Sequence, residues 1–213
     1  TSRGGLPKLF FEDIDFEKYV DMAINMPLMF IFKNGKYLKT EGKTFKNFMQ
    51  GKLSALTYHE ANIKDFETHL ATIFTEVRLK KYIEIRSLDT CEWDCHCSGP
   101  AFYTGLIYGN LDEALEIVKQ WKPSEVLNAY KEVTKKGFQT NIHNKSLLEW
   151  GKIFLNLSKK GLQKRSTKNS SRIDESIFLR SIESILFNNK SKADIAIEKF
   201  KKEKNLEFLY EKE

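Results

Sequence analysis

A carboxylate and a guanidinium stand two residues apart near the middle of the chain, in Glu84-Ile85-Arg86. Polar and apolar residues alternate from Tyr82 to Asp89, which predicts a β-strand. Residues two apart on a strand project from the same face, with their bases about 6.6–6.8 Å apart. A nucleotide-dependent ligase uses such a pair, because a carboxylate oxygen binds Mg²⁺ and a planar guanidinium binds a phosphoryl group during transfer.

The pattern Glu-x-Arg on a strand is not specific, since an exposed ion-pair face produces it as well. The flanking sequence adds further charge at Glu76, Arg78, Lys80, Lys81 and Asp89. A strand surrounded by acids and bases is more typical of a functional site than an isolated pair. The segment is therefore the first candidate for chemistry.

A second group of potential ligands consists of Cys91, Cys95, His96 and Cys97. Thiolates and imidazole bind zinc well. Ligands this close together need a distant second pair to complete a tetrahedral site, and the chain has only 3 cysteines. Such a set is also too small for the disulfide framework of a secreted domain. We therefore expect each cysteine to be a packed or idle thiol, in a cytoplasmic protein.

Local patterns predict a mixture of helices and strands in the first half of the chain. Asn34-Gly35 readily forms a type I′ turn and predicts a hairpin. His69 lies on a predicted helix, where we expect a hydrogen-bonded structural group more than a base. The predicted elements are helices over 15–25, 44–49 and 63–74, the hairpin of 28–32 with 37–38, and the strand over 82–89.

The sequence beyond Pro100 is predicted to be helical, because apolar residues recur there at helical spacing. Asn110, Ser146 and Ser191 are candidate N-caps, Pro123 suits a first helical turn, and Gly161 is a candidate left-handed end. The predicted helices cover 111–121, the residues after 123, 147–160, the region of 178–185, and the residues after 191.

Composition indicates a globular protein, since 41% of the 213 residues are hydrophobic and 13% are aromatic. No apolar run approaches the roughly 20 residues that span a bilayer, so no membrane partner is expected. The net charge of +6 leaves open a non-enzymatic basic helical module that binds nucleic acid or a protein. Basic and aromatic residues are not interleaved, however, so no nucleic acid is expected.

The segment from His69 to Arg86 resembles the stretch HLTTIFPEVRLKRYLEMR of plant and proteobacterial glutamate–cysteine ligases. The family continues as GADGGPWRRLCALPAFW, which aligns without a gap with Ser87 to Tyr103. Upstream, Phe16 to Pro27 resembles FERYVDYALDVP, and Phe45 to Leu53 resembles FRDFLAGKL. The similarity extends from Arg3 to Tyr108 and weakens across the helical end.

The resemblance implies an α+β fold, with part of a glutamine-synthetase-like antiparallel sheet and flanking helices followed by a mostly helical C-terminal region. Residues 1–108 would form the C-terminal part of the catalytic domain, and residues 109–213 a helical region packing on it. The chain starts at Thr1 within a loop-like segment. We therefore expect a C-terminal piece of the enzyme that is inactive alone.

The same resemblance implies an ATP-dependent reaction in which glutamate, through a γ-glutamyl phosphate, is joined to cysteine to give γ-glutamylcysteine, the first step of glutathione biosynthesis. Glu84 would bind Mg²⁺, and Arg86 would bind the transferred phosphate as the catalytic residue. Arg3, in a loop similar to the family's Arg-Thr-Gly segment, would bind glutamate. Another carboxylate–amine ligase of the same superfamily stays open, because this strand does not select the amine.

Overall fold

The computed structural model describes residues 3–54, 59–89, 91 and 93–209. Thr1 and Ser2 of the predicted N-terminal loop thus lie outside the described residues. The chain divides into two compact units, Thr1–Asp89 and Thr90–Glu213. Helices and short strands occur in both units, which confirms the predicted α+β class. The assignment of catalytic and helical regions to 1–108 and 109–213 stays a prediction.

Within its described residues, the first unit contains three α-helices, six short strands and a 3₁₀ turn at Lys8–Phe11. Its described helices are α1 (Phe16–Asn25), α2 (Phe45–Met49) and α3 (Ile63–Ala71). Its described strands are β1 (Gly4–Gly5), β2 (Ile31–Lys33), β3 (Lys36–Leu38), β4 (Phe74–Thr75), β5 (Val77–Leu79) and β6 (Ile83–Ile85).

The described strands of this unit form three separate pairs. Strand β1 runs parallel to β4, whereas β2–β3 and β5–β6 are antiparallel hairpins. Asn34 and Gly35 have φ of 49° and 75°, so the predicted Asn-Gly hairpin is confirmed. A glutamine-synthetase-like sheet needs more strands than these pairs contain, and that part of the fold stays a prediction.

The side chain of the residue just before each helix explains where that helix begins. Asp15, Thr44 and Asn62 each accept a hydrogen bond from a backbone N–H in the first turn, which satisfies a donor that the helix leaves unpaired. Helix α3 ends at Ala71, earlier than predicted. Phe74 consequently leaves the helix and enters β4.

Two apolar clusters stabilise the first unit. The larger joins α2 to the β2 strand through Leu28, Ile31, Phe45, Phe48 and Leu53. The smaller joins α1 to the end of α3 through Ala23, Met26 and Ile73. The Tyr19 hydroxyl of α1 also accepts a 2.9 Å hydrogen bond from the Leu79 backbone N–H, which attaches the β5–β6 hairpin to this core.

The second unit is mainly helical, as predicted. Its described helices are α4 (Ser98–Thr104), α5 (Leu111–Val118), α6 (Pro123–Lys136), α7 (Leu147–Arg165), α8 (Arg180–Asn188) and α9 (Lys192–Glu203). A short antiparallel hairpin of β7 (Asn141–Ile142) and β8 (Lys145–Ser146) was not predicted. Ser146 and Ser191 form capping boxes with Glu149 and Asp194, which confirms both predicted starts.

Gly161 does not end its helix, contrary to the prediction. Helix α7 continues to Arg165, and the left-handed residue is Ser166, with φ of 55°. A Cβ on Gly161 would overlap the Gly105 carbonyl, in the π-helical turn Gly105–Gly109. The glycine is therefore needed for close helix contact, a long-range requirement that its local sequence does not reveal.

Asn110 also has a different role from the predicted one. Its side chain makes no capping hydrogen bond. Instead its Nδ2 donates a 3.1 Å hydrogen bond to the Leu157 carbonyl, and its Oδ1 accepts from Nζ of Lys164. Asn110 thus joins the start of α5 to α7.

Among the helices that the structure describes, none combines the length and the apolar composition that a membrane-spanning helix requires.

The expectation that all cysteines are thiols is wrong for two of them. Cys91 and Cys95 form a disulfide, while Cys97 is free and exposed. Their separation of four residues permits the bond because the intervening turn brings the two Cα atoms to 6.1 Å, within the usual range for disulfides. Two of the sulfurs considered as zinc ligands are thus covalently paired.

Candidate functional site

Backbone hydrogen bonds bring the three predicted site residues into one region of the first unit. The Phe74 N–H donates to the Arg3 carbonyl at 2.7 Å, which continues the β1–β4 pairing. Glu76 then connects both sides, because its N–H donates to the Gly5 carbonyl at 2.9 Å and its carbonyl accepts from the Arg86 N–H at 2.8 Å. The N-terminal loop and the Glu-x-Arg strand are therefore neighbours.

The aromatic ring of Phe74 contacts both predicted anion-binding arginines. The guanidinium carbon of Arg3 lies 5.7 Å from the ring centroid, and that of Arg86 lies 5.6 Å from it. Both distances fall within the range of cation–π contacts. Phe74 is 43% exposed and the Arg86 side chain 29%, whereas Arg3 is partly buried, so a ligand can reach the ring and Arg86 from solvent.

Arg78, which faces Glu84 in the antiparallel register, is the buried anchor of the site. Its Nε and Nη2 both lie 2.6 Å from Oε2 of Glu84. Its Nη1 donates to the carbonyls of Ala71 and Ile73 at 2.6 and 3.1 Å. All three nitrogens are thus used within the protein, and Arg78 is only 6% exposed.

Glu84 connects this anchor to the predicted catalytic arginine. Nη1 of Arg86 lies 3.4 Å from the same Oε2 of Glu84. Burial raises the pKa of the Glu84 carboxyl, but hydrogen bonds and charge from Arg78, and then from Arg86, lower it by more, so the pKa lies below its usual value. Glu84 is therefore a carboxylate at neutral pH and orients Arg86 by charge.

These side chains have a surplus of positive charge. Arg78 and Arg86 share the carboxylate of Glu84, and Arg3 forms no ion pair with any residue that the structure describes. Nη1 of Arg3 is buried and has no hydrogen-bond acceptor among the described residues. A buried donor without a partner is costly, and an anionic ligand would supply the acceptor. The arrangement is chemically suited to bind carboxylate or phosphoryl oxygens, which a guanidinium matches in shape and charge.

Glu84 can contribute one oxygen to a metal ion. Its contacts with Arg78 and Arg86 all fall on Oε2, so its Oε1 is not used by either arginine. Within the described residues, no three histidine, cysteine or acidic side chains cluster as a metal site. Mg²⁺ commonly binds one or two carboxylates together with substrate phosphates and water, so Glu84 fits the role of one such ligand.

His69 is a structural residue, as expected. It is 2% exposed, stacks on Phe45 and makes a 2.8 Å hydrogen bond from Nε2 to the Ala23 carbonyl. Burial lowers its pKa, the Ala23 carbonyl opposes this, and the positive charge of Arg3 adds to the lowering. A buried neutral imidazole that bonds the backbone of α1 holds α1 against α3.

Sequence reasoning counted Arg78 only as flanking charge and gave Phe74 no place in the site. The pattern Val77-Arg78-Leu79 alternates as Ile83-Glu84-Ile85 does, and a tight turn between the two triplets would have placed Arg78 opposite Glu84. Nothing in the local sequence indicates the contacts of Phe74. They depend on β1–β4 pairing, which joins residues distant in sequence.

The opposite face of the β5–β6 hairpin is apolar. It lines a pocket of about 480 Å³. The pocket's lining residues come from the N-terminal segment, α1 and the hairpin, and they are Leu6, Phe10, Ile14, Asp15, Phe16, Tyr19, Val77, Leu79 and Ile83. The hairpin therefore separates a charged site from an apolar pocket.

Comparison with known proteins gives a consistent result. A model of glutamate-cysteine ligase family 2 (GCS2) matches residues 1–212. The chain is 38% identical over 167 residues to the chloroplastic glutamate–cysteine ligase of Brassica juncea, covering 78% of this chain and 32% of that protein. For the Arabidopsis thaliana enzyme the identity is 34% over 199 residues, covering 92% of this chain and 37% of the relative.

The chain thus spans about a third of the length of the curated relatives it matches. Tomato (Solanum lycopersicum) supplies a further relative, 35% identical over 174 residues. These relatives are all named as chloroplastic proteins. The prediction of a cytoplasmic protein is wrong on this finding.

Proposed function

This chain belongs to glutamate-cysteine ligase family 2, and we propose that it forms part of a longer enzyme that joins the γ-carboxylate of glutamate to the amine of cysteine using ATP. The product would be γ-glutamylcysteine. The observation that carries the proposal is the meeting of Arg3 and Arg86 on the Phe74 ring, because it sets two guanidinium groups where an anionic substrate can contact both. From the names of the relatives we also propose a plastid location.

Arg3 is proposed to bind a carboxylate of glutamate. Its buried Nη1 has no acceptor among the described residues, and two parallel N–H groups of a guanidinium fit the two oxygens of a carboxylate. The Phe74 ring holds the group from one side. Binding at Arg3 would fix the substrate relative to Arg86 and lower the entropic part of the barrier.

Arg86 is proposed to stabilise the phosphoryl group as it moves from ATP to the γ-carboxylate. Phosphoryl transfer spreads negative charge over the oxygens of the transferred group. A guanidinium that is already held beside this group lowers the activation barrier electrostatically. Of its nitrogens only Nη1 is near Glu84. Nε and Nη2 have no acceptor among the residues that the structure describes, and they can face the ligand.

Glu84 is proposed to have two functions through its two oxygens. Oε2 orients Arg86, and Oε1 would be a ligand of Mg²⁺. The bound ion would supply positive charge to the phosphate oxygens. The lowered pKa of Glu84 keeps the carboxyl ionised, as both functions require.

An initial-rate assay of the complete polypeptide that contains this chain tests the proposal. Phosphate release from ATP in the presence of glutamate should depend on cysteine, with γ-glutamylcysteine as the product. Equal or faster turnover with another amine would instead favour another carboxylate–amine ligase. The present chain alone is expected to be inactive in the same assay, since about two thirds of the length of its relatives lies outside the match.

A further inference from the structure

We propose that Phe74 is a positioning residue of the ligase reaction, which sets the spacing between the carboxylate-binding Arg3 and the phosphoryl-binding Arg86. The inference rests on the proposed function and extends it to a side chain that bears no charge and performs no chemistry.

The Phe74 ring is a common support for both cations. The guanidinium carbons lie 5.7 and 5.6 Å from its centroid, so they are no more than about 11 Å apart, the sum of these two distances. A phosphorylated dicarboxylic amino acid carries anionic groups at both ends, so it can contact two guanidinium groups that lie within this limit. One ring can therefore set the distance between the groups that bind its ends.

Backbone pairing holds the main chain of Phe74 in place before any ligand binds. The Phe74 N–H donates to the Arg3 carbonyl, and its Cα pairs with Gly4 in the β1–β4 register. Strand β4 ends in Thr75, which is fully buried and whose hydroxyl donates to the Val77 carbonyl. The ring thus projects from a short segment that is held at both ends.

Electrostatics explains why an aromatic ring is needed at this position. Two guanidinium groups repel each other, and the negative face of an aromatic ring attracts both without neutralising either. A carboxylate at the same place would attract them more strongly but would also compete with the substrate anion. An aliphatic side chain would fill the volume and leave the repulsion unopposed until substrate binds.

The proposal is tested with Phe74→Leu and Phe74→Tyr in the complete ligase. Phe74→Leu should lower kcat/KM for glutamate about tenfold, because each cation–π contact at a partly desolvated site is worth up to about that factor. Phe74→Tyr keeps the π face and should retain activity within about threefold on the same grounds. Phe32→Leu is the matched control, since Phe32 also lies on a short strand, is 48% exposed and should leave kcat/KM unchanged.

A double-mutant cycle with Arg86→Ala separates positioning from simple packing. Contacting residues give non-additive effects, so Phe74→Leu should lower kcat/KM less in the Arg86→Ala enzyme than in the unmodified enzyme. Wild-type activity of Phe74→Leu, equal losses in Phe74→Leu and Phe74→Tyr, or strict additivity in the cycle would each overturn the proposal. If Phe74→Leu does not fold, Phe74→Met gives the same test, because Met fills the volume without a π face.

The activity of Arg86→Ala distinguishes a failure of the proposed function from a failure of the positioning role of Phe74. If Arg86→Ala has normal kcat/KM, the proposed site is wrong and the positioning role fails with it. If Arg86→Ala is impaired while Phe74→Leu is not, the proposed function stands and only the role of Phe74 is overturned.

Discussion

Arg78 and Glu84 face each other across the β5–β6 hairpin, with Nε and Nη2 of the arginine each 2.6 Å from one carboxylate oxygen. The pair joins a buried residue to a half-buried one, and the same carboxylate then contacts Arg86. The stability of the hairpin and the orientation of the candidate catalytic group therefore depend on one guanidinium.

Arg78→Met is expected to destabilise the protein by about 2–3 kcal/mol, because it leaves the Glu84 carboxylate and the carbonyls of Ala71 and Ile73 without their donor. Chemical denaturation measures the loss. The control is Arg180→Met, at an exposed position, which should change stability by no more than about 0.5 kcal/mol. Equal effects of the two substitutions would show that the Arg78 contacts do not stabilise the fold.

Acidification should destabilise the protein through His69. Its folded-state pKa lies below 6.5 because it is buried, so the unfolded chain binds the proton more readily. The stabilising contribution is therefore complete above pH 6.5 and is lost progressively as the pH falls below that value. The free energy of unfolding, measured by denaturant titration from pH 8 to pH 5, should follow this course.

In the His69→Gln variant the slope of that pH dependence should be smaller over the same range, because the amide can keep the bond to Ala23 but does not titrate. Lower overall stability of the variant is compatible with this account. An unchanged slope would contradict it, because the acid sensitivity would then come from other groups.

Two glycines of helix α7 allow a matched test of close helix packing in the second unit. Gly161→Ala should cost about 2 kcal/mol or more, since its Cβ would overlap backbone atoms of the Gly105–Gly109 turn that cannot move easily. A Cβ at Gly151 meets side-chain atoms of Leu186, with Cδ2 the nearest at 2.8 Å, and a side-chain end can move more easily than backbone. At position 151 the higher helix propensity of alanine stabilises the helix by about 1 kcal/mol, which offsets the cost of displacing the Leu186 side chain.

Thermal unfolding of both glycine variants measures the difference. Gly161→Ala should melt clearly below the unmodified protein, and Gly151→Ala should melt close to it. If the two melt together, the contact between α7 and the π-helical turn is not tight in solution.

The elements that sequence predicted well are those determined by neighbouring residues. Asp15, Ser146 and Ser191 begin helices because a side chain can bond to an N–H two or three positions ahead. The Asn34-Gly35 turn is likewise local. Such signals are complete within a few residues, and the structure confirms them.

The wrong or missing roles of Gly161, Asn110 and Phe74 share a different cause. Gly161 matches a helix end by its local sequence, yet its role is set by Gly105 in another element. Asn110 matches a cap but bonds to Leu157. Phe74 was given no role, because the two arginines that its ring contacts are far apart in the sequence, one before Phe74 and one after it. Tertiary contact decides each of these cases, and no local pattern encodes it.

The site residues Arg3, Glu84 and Arg86 were proposed from a motif and a family resemblance. What the structure adds is their proximity: backbone bonds through Glu76 connect the loop of Arg3 to the strand of Arg86, and Phe74 lies between these two in contact. The hypothesis that Oε2 of Glu84 orients Arg86 while Oε1 binds Mg²⁺ also depends on the structure, because the sequence does not show which oxygen the arginines contact.

The rate of γ-glutamylcysteine formation by Arg86→Ala, compared with its melting temperature, tests the central claim most directly. In the complete ligase we expect the rate to fall by about a hundredfold or more, as for loss of one transition-state donor. The melting temperature should change little, because Arg86 is partly exposed, its ion pair with Glu84 is long, and its contact with the half-exposed Phe74 ring is offset by relief of the repulsion from Arg3. A folded Arg86→Ala enzyme that turns over at nearly the normal rate would contradict the account.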